Sequence, residues 1–346
     1  FMLIAVIATG RVLVPLNPKL SSGEINYIIE DSKPNLIISL LPGNDYHLEK
    51  KGIKLIKEKG KPYYDLIMAH RNDQAEISIS SADEAEIVYT SGSTGNPKGV
   101  VITQRNLISN AQGIYLRVRP EKTDTFLTIT PLFHNSGQFF STFVPLWGGA
   151  SCVVVRPDIG LTHFWYYIKT HQINWTLGMP THINHLLHNA TSEQEPSTLK
   201  AIIVGGARLE NKSHRLFQET FNVPILKTYG LTETCSFASC DEIDDENRTI
   251  GSSGTPISTN EVAVFNEMNE QLSPGVEGEI RMKGDNIFQH YLNKPDLTVS
   301  RFVDGWFCSG DLGHFDEFGN IYVRDRLDNM MIVSGENVYP ADVENY

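Results

Sequence analysis

Cysteine is scarce in this 346-residue chain: Cys152, Cys235, Cys240 and Cys308 are the whole complement, and no two stand in a CxxC pair. A disulfide framework is thereby excluded, and a reduced, cytoplasmic setting is expected. Positive charge is also in deficit, with 29 Lys and Arg against 41 Asp and Glu, a net charge of -12. No general basic surface exists to hold a nucleic acid backbone, so an anionic ligand must be met by a few local donors. Long apolar runs are missing too. The opening FMLIAVIATG is broken by Gly10-Arg11 too early for a membrane span and lacks an initiator Met and a basic leader, so a buried helix entered midway is expected. At the far end PADVENY stops as Pro340, Ala341 and Asp342 begin a helix, and both ends read as cuts in a longer chain. There is no repeat of fixed period and no low-complexity tract.

What remains is an ordinary globular mixture, 40% apolar and 20% charged, long enough for two or three packed subdomains. Over residues 1–80 helical patterns alternate with short apolar strands such as VLVP (Val12 to Pro15) and NLIIS (Asn35 to Ser39). From Glu86 to Ile203 the rhythm repeats: IVYT precedes a Gly-rich turn and a helix, and TFLTIT, SCVVV, INWTLG and AIIVGG each read as a strand before a turn or helix. This is the pattern of βαβ units and largely parallel sheets. From about Gly251 to Val323, EVAVF, GEIRMKG and NIYVRD are separated by NE, SPG, GD and FGN, turn signals that predict a small antiparallel sheet or barrel.

Three segments carry chemistry. YTSGSTGNPKGV, Tyr89 to Val100, follows the strand EIVYT. A turn rich in Ser, Thr and Gly exposes backbone N–H groups and hydroxyls that fold closely around phosphate oxygens, and Lys98 adds a mobile positive charge. It is not a Walker loop, because GxxxxGK[ST] fails at Pro97-Lys98-Gly99. KTYGLTET, Lys227 to Thr234, offers a ring for a purine in Tyr229, a hydroxyl in Thr232 and a carboxylate for Mg²⁺ in Glu233; taken alone it equally fits a turn into a helix capped by Thr232. In the third segment, Trp306 to Pro340, Asp311 follows a Ser-Gly turn and Arg326 ends the next strand pattern. A carboxylate there can accept from two ribose hydroxyls and Arg326 can add charge-assisted bonds, although an Asp turn and a surface Arg fit the same letters.

In this order and spacing the segments resemble the adenylate-forming superfamily of acyl-CoA synthetases, firefly luciferases and peptide-synthetase adenylation domains. LVPLNP, PLFHNSG (Pro131 to Gly137), GMPT (Gly178 to Thr181), VGGA (Val204 to Ala207) and GEIRMKGDNIFQHYLNKPDLT (Gly278 to Thr298) resemble further blocks of the family. The resemblance implies a core over residues 1–327, α/β to about 250 and β-barrel-like from about 251 to 325, then a hinge at Asp328 and the beginning of a C-terminal lid over 328–346. It places Thr90, Ser91, Gly92, Ser93, Thr94, Gly95 and Lys98 in the phosphate loop and Gly205, Gly206 and Ala207 in a wall of the adenine and acyl sites. Tyr229 and Gly230 would flank adenine, Thr232 the α-phosphate, Glu233 the Mg²⁺, Asp311 and Arg326 the ribose, and His134 the acyl carboxylate.

Gln104, where the family often has His, and His290-Tyr291, in the place of its Gly-Tyr, depart from the pattern at positions that the sequence reading keeps away from the chemistry. The implied reaction converts a carboxylic acid and ATP to acyl-AMP and pyrophosphate with Mg²⁺, then transfers the acyl group to coenzyme A, in a setting such as fatty acid metabolism. Asn135 and Ser136 offer no carboxylate for a substrate amine, which favours an acid without an α-amino group. The alternatives are an adenylation domain loading a carrier protein and a non-catalytic nucleotide-binding module. THINHLLH sets His182, His185 and His188 on one helix face without the HExxH companion that a zinc site needs.

Overall fold

Alternation of apolar side chains along four short strands decides which helices cover which face of the main sheet. The computed structural model describes residues 2–39, 54–57, 77–90, 96–191, 198–245, 248–329, 331–333 and 336–338. Its largest sheet runs in the order Thr255–Pro256, Ser239–Cys240, Ile225–Tyr229, Ala201–Val204, Trp175–Gly178, Thr125–Thr128 and Ser151–Val154. The last five of these are mutually parallel, and the first two pair antiparallel at one edge. Because successive side chains point to opposite faces, Phe126, Trp175, Leu177, Ala201, Ile203 and Leu226 enter one core with Leu107, Ile114 and Val118 of the helix Gln104–Val118. Leu127, Ile202, Val204 and Ile225 enter the other, against Phe164, Ile168, Ile183, Leu186, Phe217 and Phe221 from the helices Phe164–His171, Pro180–His188 and Asn211–Phe221. Each fully buried side chain of this size contributes about 1.5–3 kcal/mol, so the two-sided burial fixes the layer order.

The turn expected to run from IVYT into a helix instead runs into a second strand. Glu84–Thr90 pairs antiparallel with Lys98–Thr103, setting Thr90 opposite Lys98, and His290–Tyr291 joins the same sheet. The reason lies in KGVVIT itself: its β-branched run favours extended backbone. The helix starts only at Gln104, where Thr103 and Asn106 exchange side-chain-to-backbone hydrogen bonds in a capping box. The antiparallel unit expected after residue 250 is a sheet of Asn260–Phe265, Gly278–Gly284, Trp306–Phe315 and Phe302–Val303, with Ile321–Arg326 paired to Trp306–Phe315. Of the early strands, Leu36–Ser39 forms and pairs with Lys54–Lys57, whereas VLVP contributes only an isolated bridge from Leu13 to Glu86. The opening helix Met2–Ala8 buries Ile7 but is otherwise only partly covered. Among the described residues no helix is long and apolar enough to cross a membrane.

Candidate active site

In open sheets of this kind, ligands gather at the carboxyl ends of the parallel strands. Here the motif residues follow those ends on neighbouring strands. Tyr229 closes Ile225–Tyr229, Gly205-Gly206-Ala207 follow Ala201–Val204, Met179 follows Trp175–Gly178, and His134 lies a short turn past Thr125–Thr128. Gly205 is required by close packing: a Cβ there would come within 2.5 Å of Thr228 Cγ2. Gly230 is tighter, since its Cβ would lie 1.7 Å from the Ser236 carbonyl oxygen. Thr232, Glu233 and Thr234 form a single 3-10 turn, not the start of a longer helix. Ser91, Gly92, Ser93, Thr94 and Gly95 lie outside the described residues, while Thr90 and Lys98 mark the two strand ends that flank them.

Asp311 does not sit in a turn. It is the sixth residue of the continuous strand Trp306–Phe315, directly across from Arg326. Gly310 before it has φ 74°, a backbone that only glycine adopts freely, and a Cβ there would approach the Arg301 and Arg326 guanidinium groups at 3.3 and 3.4 Å. The Asp311 carboxylate meets Arg326 Nη1 at 3.2 Å and accepts the Tyr229 hydroxyl at 2.6 Å. Tyr229 and Asp311, expected at separate parts of a nucleotide, are joined directly by the fold. Burial pushes the Asp311 carboxyl upward, and the Arg326 charge and the Tyr229 hydrogen bond oppose that shift. Each carboxylate oxygen has further acceptor capacity beyond these bonds.

Glu233 is the second centre. Its backbone carbonyl accepts the Phe288 N–H at 2.8 Å, and its Oε1 accepts the Tyr291 hydroxyl at 2.7 Å. Lys98 Nζ lies over the ring of that same tyrosine, 4.9 Å from its centroid. Tyr291, which the sequence reading left outside the chemistry, thus touches both charged groups. Gln104, by contrast, is spent on structure, donating its side-chain N–H to the Ile7 carbonyl at 3.1 Å. Partial burial lowers the Lys98 pKa; Glu233 and Asp328 pull it back up, while Arg301 and Arg326 lower it further. Asp328, in the short turn Leu327–Asn329, is thus close enough for its charge to act on Lys98. Arg301 is another site-facing group that sequence reading missed. The donor set fits a magnesium-bound nucleotide: Glu233 Oε2 takes no hydrogen bond among the described residues, and the nearby cations are a lysine and two arginines.

His134 is exposed and rests its ring 4.5 Å from that of Phe133. Phe139, Phe140 and Phe237 are buried, with Phe140 stacked on Phe237 at 6.1 Å. Glu86 has no solvent contact and accepts the Gln138 side-chain N–H at 2.7 Å. A carboxylate inside the apolar strand EIVYT was a visible signal of something unusual.

A protein-family model described as AMP-binding enzyme matches residues 1–292. The sulfoacetate–CoA ligase of Cupriavidus necator is 30% identical to this chain over 99% of its length, and the chain spans 68% of that relative. ATP-bound MatB from Rhodopseudomonas palustris superposes with a TM-score of 0.90 at 28% identity, covering 99% of this chain and 69% of that one. O-succinylbenzoate coenzyme A synthetase (MenE) from Bacillus subtilis, solved with ATP and magnesium ion, superposes with a TM-score of 0.86 at 29% identity, covering 99% of this chain and 71% of that one. Family match, near-complete coverage of this chain and the site geometry agree: the chain belongs to the AMP-binding enzyme family and, within it, to the AMP-forming acid–CoA ligases.

Proposed function

We propose that this chain binds ATP and a carboxylic acid, joins them as acyl-AMP with release of pyrophosphate, and supports transfer of the acyl group to coenzyme A. The observation that carries the reading is the convergence, beside the carboxyl end of the strand Ile225–Tyr229, of Glu233 and Lys98 on Tyr291 and of Tyr229 and Arg326 on Asp311. A carboxylate and an α-phosphate are both anions, and two unit charges at 4 Å repel by about 4 kcal/mol at an effective dielectric near 20. Magnesium held by Glu233 would supply charge neutralisation at the phosphates. Lys98 neutralises phosphate charge from the facing strand, and Thr232 is placed one residue from Glu233 to meet the α-phosphate. Tyr229 offers its ring to the adenine, and Asp311 with Arg326 holds the ribose hydroxyls. Gly205, Gly206 and Ala207 form the wall, and His134, past the end of Thr125–Thr128 two strands away, faces the acid.

In this reading residues 1–327 are the core and Asp328 is the pivot of a mobile lid; the position of Asp328 in a short turn straight after Ile321–Arg326 supports it. An acid without an α-amino group is favoured, because Asn135 and Ser136 provide no carboxylate. The test is Glu233→Gln. Mg²⁺-dependent pyrophosphate exchange should fall by roughly 10²-fold while the fold is retained, as when other electrostatic stabilisers are lost. Activity within a few-fold of the parent would remove Glu233 from the metal.

A further inference from the structure

We propose that Tyr291 is a positioning residue that holds the Glu233 carboxylate and the Lys98 ammonium apart, so that a magnesium–nucleotide enters between them without first breaking a Lys–Glu ion pair. This rests on the functional reading above, in which Glu233 holds the metal and Lys98 the phosphates. Two opposite charges whose fields register on one another would be drawn into contact. Yet no ion pair joins them among the described residues; each is engaged by a different part of one side chain. The phenolic hydroxyl donates to Glu233 Oε1 at 2.7 Å, and the ring face receives Lys98 Nζ at 4.9 Å.

A spacer must itself be fixed. Tyr291 is 2% exposed, its strand partner is Val100, and its N–H donates to Thr298 Oγ1 at 3.0 Å. Its ring packs against Phe288 at 4.7 Å, and the Phe288 N–H donates to the Glu233 carbonyl. On the other side Leu292 N–H donates to the Gly99 carbonyl at 2.8 Å, next to Lys98. The segment 288–292 therefore grips the backbone beside both charged side chains, and Tyr291 sets the distance between them.

The experiment titrates ATP by calorimetry in EDTA and at a series of Mg²⁺ concentrations, on variants with a parental circular dichroism spectrum. Tyr291→Phe keeps the ring under Lys98 and removes only the hydroxyl. It should bind ATP in EDTA within about twofold of the parent but need about tenfold more Mg²⁺ for half-maximal tightening, the loss expected for one bond to a charged group. Tyr291→Leu removes the spacer, lets Lys98 close on Glu233, and should weaken binding in EDTA by about tenfold as well. Adding Glu233→Gln to Tyr291→Leu should restore most of that EDTA affinity, because no ion pair is left to break; a merely structural lesion would not be rescued. The proposal is overturned if Tyr291→Phe has the parental Mg²⁺ dependence while Glu233→Gln alone shifts it, or if the double variant binds no better than Tyr291→Leu. An unshifted Mg²⁺ dependence in Glu233→Gln alone overturns the metal reading, and this proposal with it.

Discussion

Replacing Glu86 by Gln should make the protein more stable at neutral pH, by an amount that depends on pH in a defined way. Glu86 has no solvent exposure, its Oε1 accepts from Gln138 Nε2 at 2.7 Å, and its Oε2 has no hydrogen-bond partner among the described residues. Burial pushes its carboxyl up to about 7 from an ordinary 4.5, and the Gln138 bond only partly opposes this. The folded state therefore holds the proton more tightly than the unfolded state does. The stabilising contribution is complete below pH 4.5 and is lost as pH rises through about 7. A shift of this size corresponds to about 3 kcal/mol, since each pKa unit is worth about 1.4 kcal/mol. Glu86→Gln preserves shape and the Gln138 contact but cannot ionise. Urea unfolding of parent and variant at intervals from pH 4.5 to 8, followed by tryptophan fluorescence, gives the difference directly. Other titrating groups, such as Asp241 at about 7, are common to both and cancel. The stability gap should move in favour of the variant by about 3 kcal/mol across that range. A gap that stays constant would show that Glu86 does not titrate between those limits and would refute the reasoning.

Asp311→Ala should weaken AMP binding by about tenfold or more in calorimetry, since a hydrogen bond to a charged group is worth about 1.5–3 kcal/mol; unchanged affinity would confine Asp311 to its contacts with Tyr229 and Arg326. Gly230→Ala places a Cβ 1.7 Å from the Ser236 carbonyl oxygen, and overpacking of this kind costs about 1–3 kcal/mol, so both the thermal midpoint and ATP affinity should drop. A parental melting curve would show that the turn yields freely.

Local chemistry was legible where it needed only neighbours in the chain. The strands Trp175–Gly178 and Ala201–Val204, the paired glycines after the second of them and the YGLTE turn follow from apolar runs ended by glycine or polar residues. The hairpin Glu84–Thr90/Lys98–Thr103 was misread because the Gly-rich segment signals a turn without saying whether helix or strand resumes. Asp311 was misread for a similar reason: Ser-Gly-Asp looks like a turn, and only strands on both sides of it keep it extended.

The sequence by itself determined the α/β and antiparallel parts and the order of the motifs, because those depend on composition and short-range periodicity. The tertiary structure alone decided which of these groups touch. Tyr229 reaches Asp311 across 82 residues, Tyr291 reaches Glu233 across 58, and Gln138 reaches Glu86 across 52. Such contacts depend on strand order and on which edge a segment joins, and in this sheet spatial neighbours are not chain neighbours. That is why Tyr291 read as a bystander in the sequence and stands between the two central charges in the fold.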